Sequence, residues 1–166
     1  MSLVEALCIG LLAIPGISER KAKYTCQNYV PIVEAAAAEN NVDPSLMLAI
    51  MFVESSFQRR VISRAGACGL MQILPKYSGI YRKGTGKPYT CDQLKSPNRN
   101  INLGVKIYAK LLALADGNEN KALCFYNAGP VGCLRVYRNN QRRIDRSKYV
   151  KKVRKIQEYI LSLKQK

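Results

Sequence analysis

Among the acidic side chains, Glu54 is the one whose setting invites acid–base chemistry. Ile50 and Met51 stand four and three residues before it and Phe57 three after it, so a helix through this stretch turns the carboxyl toward the packed face. Burial without a cationic partner raises a glutamate pKa, and an acid that keeps its proton near neutral pH can serve as a general acid. Most helical glutamates are solvated surface residues, so the weight falls on what surrounds this one. The chain has no histidine, which excludes Ser-His-Asp triads, Cys-His hydrolases and His-ligated zinc centres. Its six cysteines, at 8, 26, 68, 91, 124 and 133, form no CxxC pair. They read as disulfides in an oxidising compartment rather than as a zinc or redox centre, with buried free thiols as the other reading. No metal and no cofactor is expected.

The elements that must position Glu54 are helices. Asp43 and Pro44 supply an N-cap and a first-turn proline, and Leu46, Ile50, Val53 and Phe57 recur at helical spacing, which predicts a helix over 44–57. Pro31 opens an alanine-rich helix to about Asn40. Residues 63–86 hold five glycines and few periodic apolar residues, and read as a loop or small β element. Ser96 and Pro97 start the longest central helix, which Asp116 and Gly117 end; Gly104 inside it suggests a close backbone contact. A further helix runs from about Glu119 to Tyr126 and is broken at Gly129 and Pro130. Tyr149, Val153, Ile156, Ile160 and Leu163 form the apolar seam of a terminal helix. The fold class is therefore mainly α, in one domain, since 166 residues need no second core.

Charge narrows the partners without choosing among them. Twenty-seven Lys plus Arg against eleven Asp plus Glu give +16, which draws polyanions such as nucleic acid, an anionic membrane face or a cell wall. The apolar run Leu3 to Ile14 is interrupted by Glu5, ended by Pro15 and too short for a membrane helix. The basic residues of a secretory leader follow it instead of preceding it. Residues 1–27 are taken as an apolar and basic lead segment, amphipathic or docking in character, ahead of a domain over 28–166 with a basic terminal helix.

Glu54, Ser55, Phe57, Ser63, Gly66, Ala67, Gly69, Leu70, Met71 and Gln72 stand in ungapped register with the motif E-S-x-F-N-P-x-A-x-S-x-x-G-A-x-G-L-M-Q. In this the chain resembles the family 23 lytic transglycosylases, whose soluble lytic transglycosylase (SLT) domain has a lysozyme-like fold. Gln58, Arg59 and Val61 depart from the motif, all within a connecting loop. Three later stretches resemble the same family in order. They are Leu94 to Pro97 with Asn100, Ile101 and Gly104; Phe125-Tyr126-Asn127-Ala128-Gly129; and Tyr149-Val150 with Val153.

The resemblance implies that Glu54 protonates the oxygen between N-acetylmuramic acid and N-acetylglucosamine. It then takes the proton of the muramoyl C6 hydroxyl, leaving a 1,6-anhydro end. Ser63, Gly69, Met71, Gln72, Tyr126, Asn127 and Tyr149 are the implied substrate-groove residues. Gly69 also fits a plain turn, Met71 a core position and Tyr149 the first knob of the terminal seam. Asp145 is an implied substrate contact or else a partner for its basic neighbours. No Asp or Glu lies between Glu54 and Asp92, whereas ordinary glycosidases pair two carboxylates across the bond. A goose-type hydrolytic muramidase is the alternative enzyme. A non-catalytic module binding wall polymer or nucleic acid is the alternative of another class, although no base-reading motif supports specific nucleic-acid binding. Lys and Arg at 148, 151, 152, 154 and 155 are expected to dock the terminal helix on anionic wall. The expected setting is extracytoplasmic, as a phage virion component, with a bacterial periplasm as the alternative and other virion or envelope-machine proteins as partners.

Overall fold

The protein is described by a computed structural model covering residues 1–76, 82 and 84–162. Leu163, the last residue of the expected seam, lies outside these residues. Ten helices occur among the described residues: α1 (Leu3–Leu11), α2 (Glu19–Asn28), α3 (Val30–Asn40), α4 (Pro44–Ser55), α5 (Cys91–Leu94), α6 (Pro97–Leu114), α7 (Glu119–Ala128), α8 (Pro130–Tyr137), α9 (Gln141–Asp145) and α10 (Lys148–Leu161). The mainly α expectation holds. Helices α2, α5, α8 and α9 have no counterpart among the expected elements: each is ten residues or shorter, too short for a clear apolar periodicity.

The core is built around α4. Leu46 to Met51 are buried on every side of this helix, the mark of a helix wrapped by others rather than laid on a surface. Its start is set by Asp43, whose Oδ1 accepts from the Ser45 amide at 2.7 Å, with Pro44 in the first turn. The helix ends earlier than the spacing of Phe57 predicts. Ser56 (φ 50°) and Phe57 (φ 61°) both take left-handed backbone, and the Phe57 ring folds back onto Phe52 with centroids 5.5 Å apart. Phe57 is thus buried beyond the helix end, because an apolar ring finds its cover by reversing the chain.

Helix α10 packs along α4 and α3 packs against α6. Val150, Val153, Ile156 and Ile160 form the buried seam of α10. Helix α1 crosses its far end so closely that a Cβ on Gly10 would fall on the Ile160 carbonyl. All six cysteines are paired, as Cys8–Cys26, Cys68–Cys91 and Cys124–Cys133. These staple α1 to α2, the loop after α4 to α5, and α7 to α8. Each closed loop removes freedom from the unfolded chain, typically about 2–4 kcal/mol. No described helix is long and apolar enough to cross a membrane.

Candidate active site

Glu54 lies in the last turn of α4, half-buried. Its Oε1 accepts a 2.6 Å hydrogen bond from the hydroxyl of Tyr149, one residue into α10. Burial raises the Glu54 pKa, while the Tyr149 bond and the Lys152 ammonium act in the opposite direction. Desolvation is the larger effect, so the carboxyl keeps its proton to higher pH than an exposed glutamate. Tyr149 is itself pushed well above the ordinary tyrosine value, by burial first and then by the Glu54 charge. It therefore remains a hydroxyl donor across the working pH range.

A second tyrosine approaches from α7. Tyr126 donates to the Met71 carbonyl at 2.7 Å, and burial and then the Glu54 charge raise its pKa in the same way. Beside it opens a groove of about 570 Å³ whose walls include Ile73, Ile107, Leu111, Tyr126, Asn127 and Gly129. Asn127 is exposed there. The groove owes its end wall to the break between α7 and α8, where Gly129 takes φ 70° and ψ 157°, a backbone region essentially reserved for glycine.

The loop after α4 delivers Met71 to Tyr126. It is pinned by Asn100, which is fully buried. The Asn100 amide donates to the carbonyls of Cys68 (2.9 Å) and Leu94 (2.8 Å), and its oxygen accepts from the Met71 N–H at 2.7 Å. Two isolated antiparallel bridges, Ile62 to Cys68 and Cys68 to Ile73, complete the loop; these are the small β element. The Ser55 hydroxyl, shared between Met51 O (3.0 Å) and Leu70 O (2.8 Å), ties the loop back to α4.

The expected site residues thus divide. Glu54, Tyr149 and Tyr126 converge, with Asn127 on the adjoining groove. Ser63, Gly69, Met71 and Gln72 shape the loop. The Ser63 hydroxyl accepts from the Ala67 N–H at 3.0 Å, and the Gln72 amide donates to Val61 O (3.1 Å) and Gly69 O (2.9 Å). Gly69 has φ +78°, and a Cβ there would collide with Asn100. The Met71 side chain is fully buried and fills the space that Gly104 leaves in α6. Asp145 accepts from Asn120 (2.9 Å) and Gln141 (2.7 Å).

Sequence reasoning missed Lys152 as a charge acting on Glu54. The signal was its place three residues after Tyr149, on the same helical face. Arg154 was expected among the exposed cations of the terminal helix. It turns inward instead, because Asn120, Glu119 and Gln157 offer it three acceptors.

The model of the transglycosylase SLT domain matches residues 31–149. The chain is 37% identical over 126 residues to membrane-bound lytic murein transglycosylase C of Histophilus somni, covering 69% of this chain and 34% of that protein. It is 44% identical over 80 residues to an endo-type membrane-bound lytic murein transglycosylase A of Klebsiella pneumoniae, covering 46% of this chain and 39% of that one. The chain therefore spans well under half the length of these relatives. The 70-kDa soluble lytic transglycosylase of Escherichia coli superposes with a TM-score of 0.69 at 20% identity, over 98% of this chain and 30% of that chain. That likeness establishes the lysozyme-like fold. With the family motif seated on a half-buried Glu54, and the match running from α3 to the start of α10, the chain belongs to the transglycosylase SLT domain family.

Proposed function

We propose that this domain cleaves the N-acetylmuramic acid to N-acetylglucosamine bond of peptidoglycan as a lytic transglycosylase, with Glu54 as acid and then base. The observation that carries the reading is a half-buried carboxyl with a raised pKa whose hydrogen-bond partner is a tyrosine hydroxyl, with no second carboxylate in the pair. Protonated Glu54 gives its proton to the glycosidic oxygen. The resulting carboxylate is held by the Tyr149 O–H and takes the proton of the muramoyl C6 hydroxyl, which closes on the anomeric carbon. Hydrolysis needs a separately placed base to activate water. The acids that the sequence offers for that task are engaged elsewhere. Asp92 is exposed on α5 and pairs with Lys95 at 2.6 Å, and Asp145 accepts from two amides.

Tyr126, Asn127 and Tyr149 are assigned to the substrate, with Ser63, Gly69, Met71 and Gln72 shaping the loop that faces it. Asp145 is assigned to holding α9 against α7 through Asn120 and Gln141 rather than to the substrate. Residues 1–27 extend the domain as a lead segment that packs through α1 onto α10. The three disulfides and the relatives, named as murein enzymes bound to membranes, support an extracytoplasmic setting in a bacterial envelope. The relatives' names lend no support to a virion particle.

The test is the sugar end released from purified sacculi. Mass spectrometry is expected to give muropeptides one water lighter than lysozyme products, without reducing muramic ends. A predominance of reducing ends would make the domain a muramidase, and absence of any Glu54-dependent cleavage would leave only a wall-binding role.

A further inference from the structure

Helices α4, α7 and α10 carry Glu54, Tyr126 and Tyr149, and all three are joined on the far side of the site by one chain of polar side chains. Arg154 of α10 lies at its centre. Its Nε donates to Asn120 Oδ1 at 2.7 Å and one terminal nitrogen to Glu119 Oε2 at 2.8 Å, both on α7. The other terminal nitrogen donates to Gln157 Oε1 at 2.8 Å. The Gln157 amide passes the connection to the N-terminus of α4, donating to Asp43 Oδ2 (3.2 Å) and Ser45 Oγ (3.1 Å). In the other direction, Asn120 donates to Asp145 on α9. Each amide uses its oxygen toward Arg154 and its nitrogen outward, so both are held in a single orientation.

This arrangement is more than helix packing requires. A guanidinium offers its donors in a rigid planar fork; its two acceptors on α7, with Gln157 of α10 relaying the third bond to α4, fix rotation about the α10 axis as well as separation. Arg154 follows Tyr149 by five residues, about 8 Å along the helix. A small rotation of α10 at Arg154 therefore carries Tyr149 away from Glu54. The seam of Val150, Val153 and Ile156 is apolar and non-directional, so it tolerates such a rotation better than the hydrogen-bonded fork does.

We propose that Arg154 is a positioning residue for the Glu54 centre, setting the rotation of α10 that brings the Tyr149 hydroxyl onto the carboxyl. The inference rests on the reading of Glu54 as proton donor. Arg154 touches no substrate; it acts through Tyr149.

The experiment compares Arg154→Met, Arg154→Lys and Tyr149→Phe with the wild type, singly and as the Tyr149→Phe/Arg154→Met double variant, in sacculus digestion across pH. A misplacement of order 1 Å costs up to about 100-fold, so Arg154→Met should lower kcat by roughly tenfold or more with little change in KM. Its alkaline limb should move to higher pH, in the same direction as that of Tyr149→Phe, because the carboxylate loses the donor that favours it. In the Tyr149→Phe background the Arg154→Met change should add little. Arg154→Lys keeps the charge but not the fork, and should recover stability more than rate. Nuclear magnetic resonance titration of the Glu54 carboxyl gives the same comparison without turnover. It stands even if the wild type cleaves no wall, an outcome that would count against the proposed activity alone. If Arg154→Met lowers the melting temperature while kcat and the Glu54 titration stay at wild-type values, or if its effect adds fully to that of Tyr149→Phe, Arg154 is merely structural and the proposal is wrong.

Discussion

The Tyr149 hydroxyl lies 2.6 Å from Glu54 Oε1 although the two residues are 95 positions apart. The bond favours the carboxylate and opposes the desolvation that raises the Glu54 pKa. Replacing Tyr149 by Phe leaves desolvation with only the Lys152 charge against it, so the carboxyl should titrate at still higher pH. The base step should suffer most, because the carboxylate loses its donor. A fall in kcat of roughly 10- to 100-fold is expected, the worth of a hydrogen bond to a charged group. A pH–rate profile that keeps its alkaline limb would show that Tyr149 does not govern Glu54.

Glu54→Gln should abolish cleavage, a loss of at least about 100-fold for a missing general acid, while the amide oxygen still accepts from Tyr149. The same variant should alter how stability depends on pH. A carboxyl with a raised native pKa binds its proton in the folded state at pH values where the unfolded chain has released it. Wild-type stability therefore falls as pH rises from the ordinary glutamate range through the raised value. The Gln variant lacks that fall and should be the more stable form at neutral pH. Melting curves of both proteins in matched buffers test this, and parallel curves would refute it.

Asn100→Leu should be among the most damaging single substitutions outside the reacting groups. It leaves the buried Leu94 carbonyl and the Met71 N–H without partners and takes one of two donors from the Cys68 carbonyl, which keeps the Ile73 N–H at 3.0 Å. At about 1–3 kcal/mol for each unsatisfied group, a loss of at least about 2 kcal/mol is expected. That corresponds to a drop in Tm of roughly 4–8 °C or more for a chain of this size. Activity should fall with it, since Met71 O is the acceptor of Tyr126. Calorimetry reading less than about 1 kcal/mol of destabilisation would mean that the loop holds its shape without the asparagine.

Two of the three disulfides should differ in what their removal does. Cys8 and Cys26 join α1 to α2, far along α10 from Tyr149, so Ser replacements there should lower stability by about 2–4 kcal/mol with kcat unchanged. Cys68 precedes Met71 by three residues and is tied to Cys91 at the head of α5. Its removal should lower both stability and kcat. Equal kinetic effects of the two double replacements would overturn this division.

Helices with complete local signals were legible in the sequence, and so was the buried acid. Asp43 with Pro44, Ser96 with Pro97, and Gly129 with Pro130 mark real boundaries, because caps and prolines act within a single turn and need no distant partner. Glu54 was legible because its apolar neighbours recur at helical spacing, and the motif from Glu54 to Gln72 carried the family. Which side chains meet depends instead on the tertiary fold. Tyr149 as donor to Glu54, Arg154 turned inward, Asp145 tied to Asn120 and Gln141, and the pairing of the cysteines all depend on helices far apart in the chain. A seam of apolar residues reveals that a helix packs, but burial is non-directional. Its rotation and its partners are set by hydrogen bonds whose acceptors lie on other helices, and one strand of sequence does not contain that geometry.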